Sequence, residues 1–376
     1  MVITGFTTGL AVLIAQKYGA GETEAIGKIL STFLIVMGGV FVLVACFGFT
    51  IAGPLLKFME TPSDIFERSK AYLQIISIGV PFMAVYNLYA ATIRAIGDSR
   101  APFLAVLVSS AVNVVMDILF VAGFGWGVKG AAFATILSQM AMTVFVIIYG
   151  IQKHYIVRFK IGRNMFCSEW IVPSLSFGIP PMLQSCVSSC GNMILQGFMN
   201  GFGTATVAAI TTAYRVDSIA LLPVINFGSG ISTLVAQNHG AGDNKKAWKV
   251  FTTGVAIMLV VSAMLTFIIV MFGGSVIALF GAGEEVVAIG TNFFRCIAMF
   301  YVLYGMAMAC RGYVEGTGEV LYSSIIGIVA LATRISLSYI LKPFFGNMVI
   351  AYAEGISWAL LMTLFAIRID VKRRKK

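Results

Sequence analysis

Apolar runs of roughly twenty residues, the length that crosses a bilayer as a helix, follow one another along this chain, separated by short polar or charged turns. None alternates with a period of two, so the short strands of a membrane barrel are excluded and the runs read as helices. The pattern predicts spans over 1–16, 25–56, 71–96, 102–123, 129–151, 170–200, 206–237, 247–280, 286–310, 320–342 and 348–368. The stretches 25–56 and 247–280 are long enough to tilt or to run past the hydrocarbon. Pro180, Pro181 and Pro223 are expected to break or kink their helices. Gly228 and Gly230 are expected to permit close helix contact.

The same pattern occurs twice. Phe6 to Gly21 lies over Phe227 to Gly242, and Phe6, Gly9, Leu13, Ala15, Gln16, Gly19, Ala20 and Gly21 meet identical residues. One register then carries Lys28 to Lys249, Thr32 to Thr253, Gly97 to Gly318, Ala111 to Ala332 and Ala132 to Ala353. A duplication of this kind sets the architecture and often places the binding site between the copies. The fold class expected is all-α: a polytopic membrane protein of two pseudo-symmetric helical-bundle lobes in parallel orientation. The lobes are expected at 1–151 and 170–368, joined by a cytoplasmic linker over 152–169 and followed by a basic tail over 369–376. Projecting Trp170 back by one repeat places its mate about fifty residues before Met1. The first lobe is therefore expected to lack its first helix, leaving eleven of twelve spans and an open groove beside the 102–123 and 129–151 helices.

Composition agrees with a membrane protein: 59% of residues are hydrophobic and 11% charged, and the mean hydropathy is +0.93. The net charge of +10 lies in short loops and the terminal VKRRKK, with no aromatic interleaving, so it signals topology and lipid headgroups rather than nucleic acid. One set of alternating loops holds most of the Lys and Arg residues, including Lys17, Lys28, Arg100, Lys153, Arg158, Lys160, Arg163, Lys245, Lys246, Lys249 and the tail, whereas the other holds Lys57, Arg68, Lys70, Lys129 and Lys342. The richer set is cytoplasmic, which puts the C-terminus in the cytoplasm and the chain, read as a monomer, in the inner membrane. The six cysteines lie in or beside apolar runs, and His154 and His239 occupy separate loops, so no metal cluster or cofactor is indicated. No phosphate-binding loop, nucleophile–base pair or other enzymatic constellation occurs.

Ionisable residues inside spans are the informative ones. Asp117, in AVNVVMDILFV, falls near the midplane, where a carboxylate costs on the order of 3 kcal/mol unless paired or hydrated. Asn113 precedes it by four residues and shares its helix face. Oxygen groups of this kind suit a hard monovalent cation, and a partly desolvated Asp can carry a proton. The repeat places Arg334 over Asn113 and Ser338 over Asp117, so this acidic site exists only in the first half. Arg334, Arg295, Arg215 and Asp217 are the other intramembrane charges identified. Arg215 and Asp217, two apart, face different ways; structural pairing between helices is the expectation, with capture of an anionic substrate group by Arg334 as the alternative.

The segments GLAVLIAQKYGAGE and GISTLVAQNHGAGD, the loop IRAIGDSRAPF, and the stretches NVVMDILFV and GVKGAAFATILSQ together resemble the multidrug and toxic compound extrusion (MATE) transporters, in their bacterial DNA-damage-inducible branch. The resemblance covers nearly the whole chain. It implies two six-helix lobes around a cleft, and export of small cationic or amphipathic compounds in exchange for H+ or Na+. Asn113 and Asp117 match the polar pair on the family's fifth helix and Thr135 the hydroxyl on its sixth; Asp117 becomes the ion or proton carrier, with Na+ there as one possibility. The carboxylate that many members carry on the first helix has no counterpart, and the seventh-helix glutamate of some members is Ser188, so a cation site in the second lobe is not expected. Two other readings remain: a lipid-linked oligosaccharide flippase of the same superfamily, whose pyrophosphate cargo needs a cationic groove, and a truncated, non-transporting chain.

Overall fold

A computed structural model describes residues 1–158, 166–280 and 283–374. Lys160, Arg163, Lys375 and Lys376, counted above among the cytoplasmic basic residues, lie outside the described residues, as does the middle of the expected linker. The described chain is almost wholly helical, without strands. Its helices are α1 (Val2–Gly19), α2 (Thr23–Phe58), α3 (Ser63–Ala95), α4 (Arg100–Asp117), α5 (Gly127–Lys153), α6 (Ile171–Asn200), α7 (Thr204–Ala220), α8 (Leu222–Gly240), α9 (Asn244–Ala278), α10 (Glu284–Ala298), α11 (Tyr301–Gly316), α12 (Val320–Phe345) and α13 (Val349–Arg374).

Six helical stretches among the described residues are long and apolar enough to span a membrane, and two bent pairs raise this to eight: α7 with α8, at 41°, and α10 with α11, at 49°. One of the six, Val320–Arg374, folds back on itself at Gly346, since α12 packs along α13. Pro223 starts α8 at the first of these bends, as expected, because a proline's missing N–H is tolerated only where no helical bond is required of it. Pro180 and Pro181 do not break their helix: α6 is continuous through both. The Ser185 hydroxyl donates to the Pro181 carbonyl at 2.9 Å, one turn on.

The duplication holds element by element. The 36-residue α2 and the 35-residue α9 occupy matching positions, as do α1 and α8. Even the turns agree: Gly21 and Gly242 have φ of 76° and 77°, and Gly97 and Gly318 have 102° and 91°, left-handed conformations that a side chain would strain. Glycine recurs at these turns because the backbone needs it.

Two compact units divide the described helices at different boundaries from those expected. One comprises Gly21–Leu175 and the other Met1–Ala20 with Ser176–Lys376. In the first, α3 packs between α2 and α5 over a core that includes Ile26, Ile29, Leu30, Phe33, Leu88 and Tyr89, while α4 lies on α5. α4 buries only Ala101, Pro102 and Ala105, near its start, and leaves the apolar Phe103, Leu107, Val114 and Val115 exposed. In the second unit, α10 and α7 surround Phe293, Phe294, Ile297 and Tyr301, and α8, α9, α11 and α13 surround Val235, Met258, Ala307 and Phe365.

Helix α1, assigned by sequence to the first lobe, packs on its own repeat mate α8 and touches α11. The crossing is reciprocal. A Cβ at Gly19 would strike the Gln237 carbonyl, and a Cβ at Gly240 would strike the Gln16 carbonyl. Gln16 Nε2 also donates to the Gly316 carbonyl at 2.9 Å. The Gln-x-x-Gly-Ala-Gly segment thus occurs in both copies because each copy's glycine seats the other's glutamine backbone, the small-residue contact by which helices approach in lipid. Gly228 likewise faces the Met308 backbone, whereas Gly230 faces open space, which corrects its assignment as a contact glycine. Gly240→Ala should therefore cost about 2 kcal/mol, because backbone cannot rotate away from the new methyl. Gly230→Ala should be neutral or slightly stabilising, and thermal melting in detergent compares the two.

Candidate functional site

Asp117 is the last residue of α4, where the winding widens into a π-helical turn over Ile118–Gly123, a local irregularity often found at functional positions. The half-buried Asp117 side chain presents Oδ1 to the interior with no hydrogen-bond partner. An orphaned carboxylate oxygen is rare in folded proteins and calls for a proton, a cation or water. Asn113 is half-buried one turn before it on α4, and Thr135 is half-buried on α5, the helix against which α4 packs. The Thr135 hydroxyl donates to its own helix at the Ala131 carbonyl, 2.9 Å away, which leaves its oxygen lone pairs as acceptors. No hydrogen bond joins Asn113, Asp117 and Thr135 among the described residues. The three share a helix pair without a closed network.

The other intramembrane charges converge in the unit containing Ser176–Lys376. Arg334 on α12 pairs with Glu354 on α13 at 3.0 Å and donates to the Tyr214 hydroxyl of α7 at 2.8 Å, while Tyr214 donates to Glu354 Oε2 at 2.9 Å. The Tyr301 hydroxyl, at the start of α11, donates to Asp217 Oδ1. Arg215 is exposed and points away from buried Asp217, as the two-residue spacing requires. Structural pairing between helices is thus the arrangement found for Arg334. The pair borders a cavity of about 280 Å³ lined also by Asn192, Leu195, Gln196 and Met199. Glu354 was missed by sequence reasoning; the available signal was an acid inside the 348–368 span, where Arg334 needed a partner. Arg311 is likewise an inward residue, held by Glu315 at 2.7 Å and by Gln184 at 3.2 Å.

At the loop that follows each unit's α3-type helix the copies diverge instructively. Asp98 and its repeat mate Glu319 both close the turn after a left-handed glycine. Asp98 Oδ1 accepts from the Arg100 and Ala101 backbone, and Oδ2 lies 2.8 Å from His154 Nε2 and 3.3 Å from the Tyr149 hydroxyl. Glu319 is held instead by Arg368 at 2.7 Å and Lys372 at 3.2 Å. Burial pushes each carboxyl up, yet the bonds outweigh it: His154 and the two backbone N–H groups hold Asp98 below its ordinary value, and Arg368 with Lys372 do the same for Glu319.

Against this geometry, comparison with known proteins is decisive. A family model described as MatE matches residues 1–119 and 180–340. The chain belongs to the MATE family. It is 28% identical over 357 residues to the probable multidrug resistance protein YpnP of Bacillus subtilis (strain 168), covering 95% of this chain and 80% of that one. It is 23% identical over 362 residues to the multidrug export protein MepA of Staphylococcus aureus (strain MSSA476), covering 95% and 78%. A solved structure of MATE in the bent conformation superposes with a TM-score of 0.91 at 20% identity, covering 100% of this chain and 85% of that one. A Pyrococcus furiosus transporter of the MOP superfamily, described as having reversed binding-pocket polarity, gives 0.91 at 22% identity and covers 100% and 85%. These likenesses show the fold. The chain is thus a multi-pass membrane protein of the MATE multidrug efflux family.

The Asp98 clamp yields a pH prediction. Its carboxyl is lowered in the folded state, so the stability it contributes is present at neutral pH and is lost as pH falls through that lowered value, below the ordinary Asp range of about 3.9. His154→Ala should lower stability at pH 7 by about 1 kcal/mol, the worth of the lost hydrogen bond. It should also make the acid-side loss smaller, because the carboxylate then has less stabilisation to lose, which thermal melts across an acid series will show.

Proposed function

We propose that this chain is an ion-coupled antiporter of the cytoplasmic membrane. It exports small cationic or amphipathic organic compounds in exchange for H+ or Na+, with its C-terminus in the cytoplasm. Asp117 carries the coupling cation, and Asn113 and Thr135 supply supporting oxygens. The observation that carries this reading is the buried Asp117 Oδ1 without a hydrogen-bond partner. A carboxylate at membrane depth with nothing to neutralise it favours states in which a cation is bound, and exchange of that cation couples binding to an ion gradient. The printed names of YpnP and MepA, a probable multidrug resistance protein and a multidrug export protein, support the substrate class.

The flippase reading needs free cationic groups for a pyrophosphate, and Arg334 is already engaged by Glu354, which favours the antiporter. In everted vesicles containing this chain, uptake of a fluorescent cationic dye should follow an imposed H+ or Na+ gradient, and Asp117→Asn should reduce it to the level of vesicles lacking the protein. Undiminished uptake by the variant would remove Asp117 from the mechanism. Absence of uptake by the unmodified chain would support the non-transporting reading instead.

A further inference from the structure

The second repeat half holds a buried charge group that the proposed mechanism does not use. Asp217 on α7 is 5% exposed and Glu354 on α13 is 7% exposed. Both lie inside one compact unit. Among the charges in reach of Asp217, only Arg334 is positive, and its Nη2 is taken up by Glu354 and Tyr214. Asp217 is left with a neutral phenol, the Tyr301 hydroxyl. Two carboxylates against one guanidinium leave one negative charge in surplus, in a region where an uncompensated buried charge is strongly disfavoured.

The groups facing Asp217 can be named from each element around it. Tyr214 lies three residues before it on α7, α11 presents Tyr301 and Tyr304, α12 presents Arg334 and α13 presents Glu354. α10 contributes the apolar Phe293 and Phe294 to the surrounding core, and exposed Arg295 faces away from it. Tyr214, Arg334 and Glu354 also line the 280 Å³ cavity with the amides of Asn192 and Gln196, which offers polar room for water beside the cluster. Arg334 Nε, buried and lacking an acceptor, marks the same edge as incompletely satisfied by protein alone.

The repeat adds an independent argument. Projected back by one repeat, Arg334 falls on Asn113 of the Asp117 site, but Glu354 falls on Phe133 and Tyr301 on Val80, so the acid and the phenol of this cluster are not copies of that site. Yet each half holds an acid without an ion pair among the described residues: half-buried Asp117 in the first, buried Asp217 in the second.

We propose that Asp217 is a second proton-binding site, so that the transporter loads two protons, one in each half. The proton reaches Asp217 from water through the cavity edge and returns there when substrate binds; Tyr301 keeps its own proton and orients the carboxyl, and Arg334 with Glu354 remains a fixed pair. This goes beyond the Asp117 reading: the count of two rests on a proton at Asp117, whereas the proton at Asp217 does not. Ser338 and Ser188 leave the second half without an acid at the positions of Asp117 and of the seventh-helix glutamate, and Asp217 lies on a different helix, α7.

The test is the number of protons released when the full chain, in lipid nanodiscs, binds a cationic dye, read by calorimetry in buffers of different ionisation enthalpy. The unmodified protein should release two, Asp217→Asn one, Asp117→Asn one and the double variant none. Two protons from Asp217→Asn overturns the proposal, whereas two from Asp117→Asn together with one from Asp217→Asn overturns only the Asp117 reading. Loss of sodium binding without a change in proton count also overturns it. If Asp217→Asn fails to fold, Tyr301→Phe keeps the carboxyl and should shift the pH dependence of the release; an unchanged pH dependence overturns the proposal as well.

Discussion

Within the hydrocarbon there is no water to solvate a charge, and this constraint governs how the inward-facing ionisable side chains of the spans are paired. Arg334 finds Glu354 and Tyr214 on two other helices, and Asp217 finds Tyr301 on a third. Arg311 is tied down by Glu315 and Gln184. Asp117 stands apart because its Oδ1 has nothing. That unsatisfied carboxylate oxygen is the observation on which the proposed coupling role rests.

The helical frame obeys the same constraint by other means. Without a hydrophobic force between helices in lipid, contact depends on close backbone approach, as in the reciprocal seating of Gly19 on Gln237 and Gly240 on Gln16. It joins the two copies of one motif, so the duplication is also a self-complementary interface. Outside the bilayer the copies were free to diverge. There Asp98 is held by an imidazole and Glu319 by two permanent cations, on the same turn geometry.

Much of the fold was legible in the chain. Each of the eleven apolar runs corresponds to a helix or to a bent pair of helices, since length and hydropathy alone decide what crosses a bilayer, and the repeat register survives down to the φ angles of Gly21 and Gly242. The boundary of the compact units was not legible. α1 belongs by sequence to the first copy, but its packing depends on a contact with residues more than two hundred positions away. Pro180 and Pro181 looked like breaks and are not, because a helix held by its neighbours can absorb a lost hydrogen bond. Asp117 was legible from depth alone. The Arg334–Glu354 pair was only half legible: the arginine stood out, but its partner lies twenty residues further on, across a turn, where no spacing rule reaches.

The account rests on a carboxyl that changes its protonation or ion occupancy as substrate arrives. Difference infrared spectroscopy of the protein in nanodiscs, before and after addition of a cationic substrate, observes that change directly. The account predicts loss of a protonated-carboxyl signal, or a shift of a carboxylate band in the presence of sodium, that is missing when Asp117 is replaced by Asn. A carboxyl region that stays unchanged on substrate binding, under both ionic conditions, would contradict it.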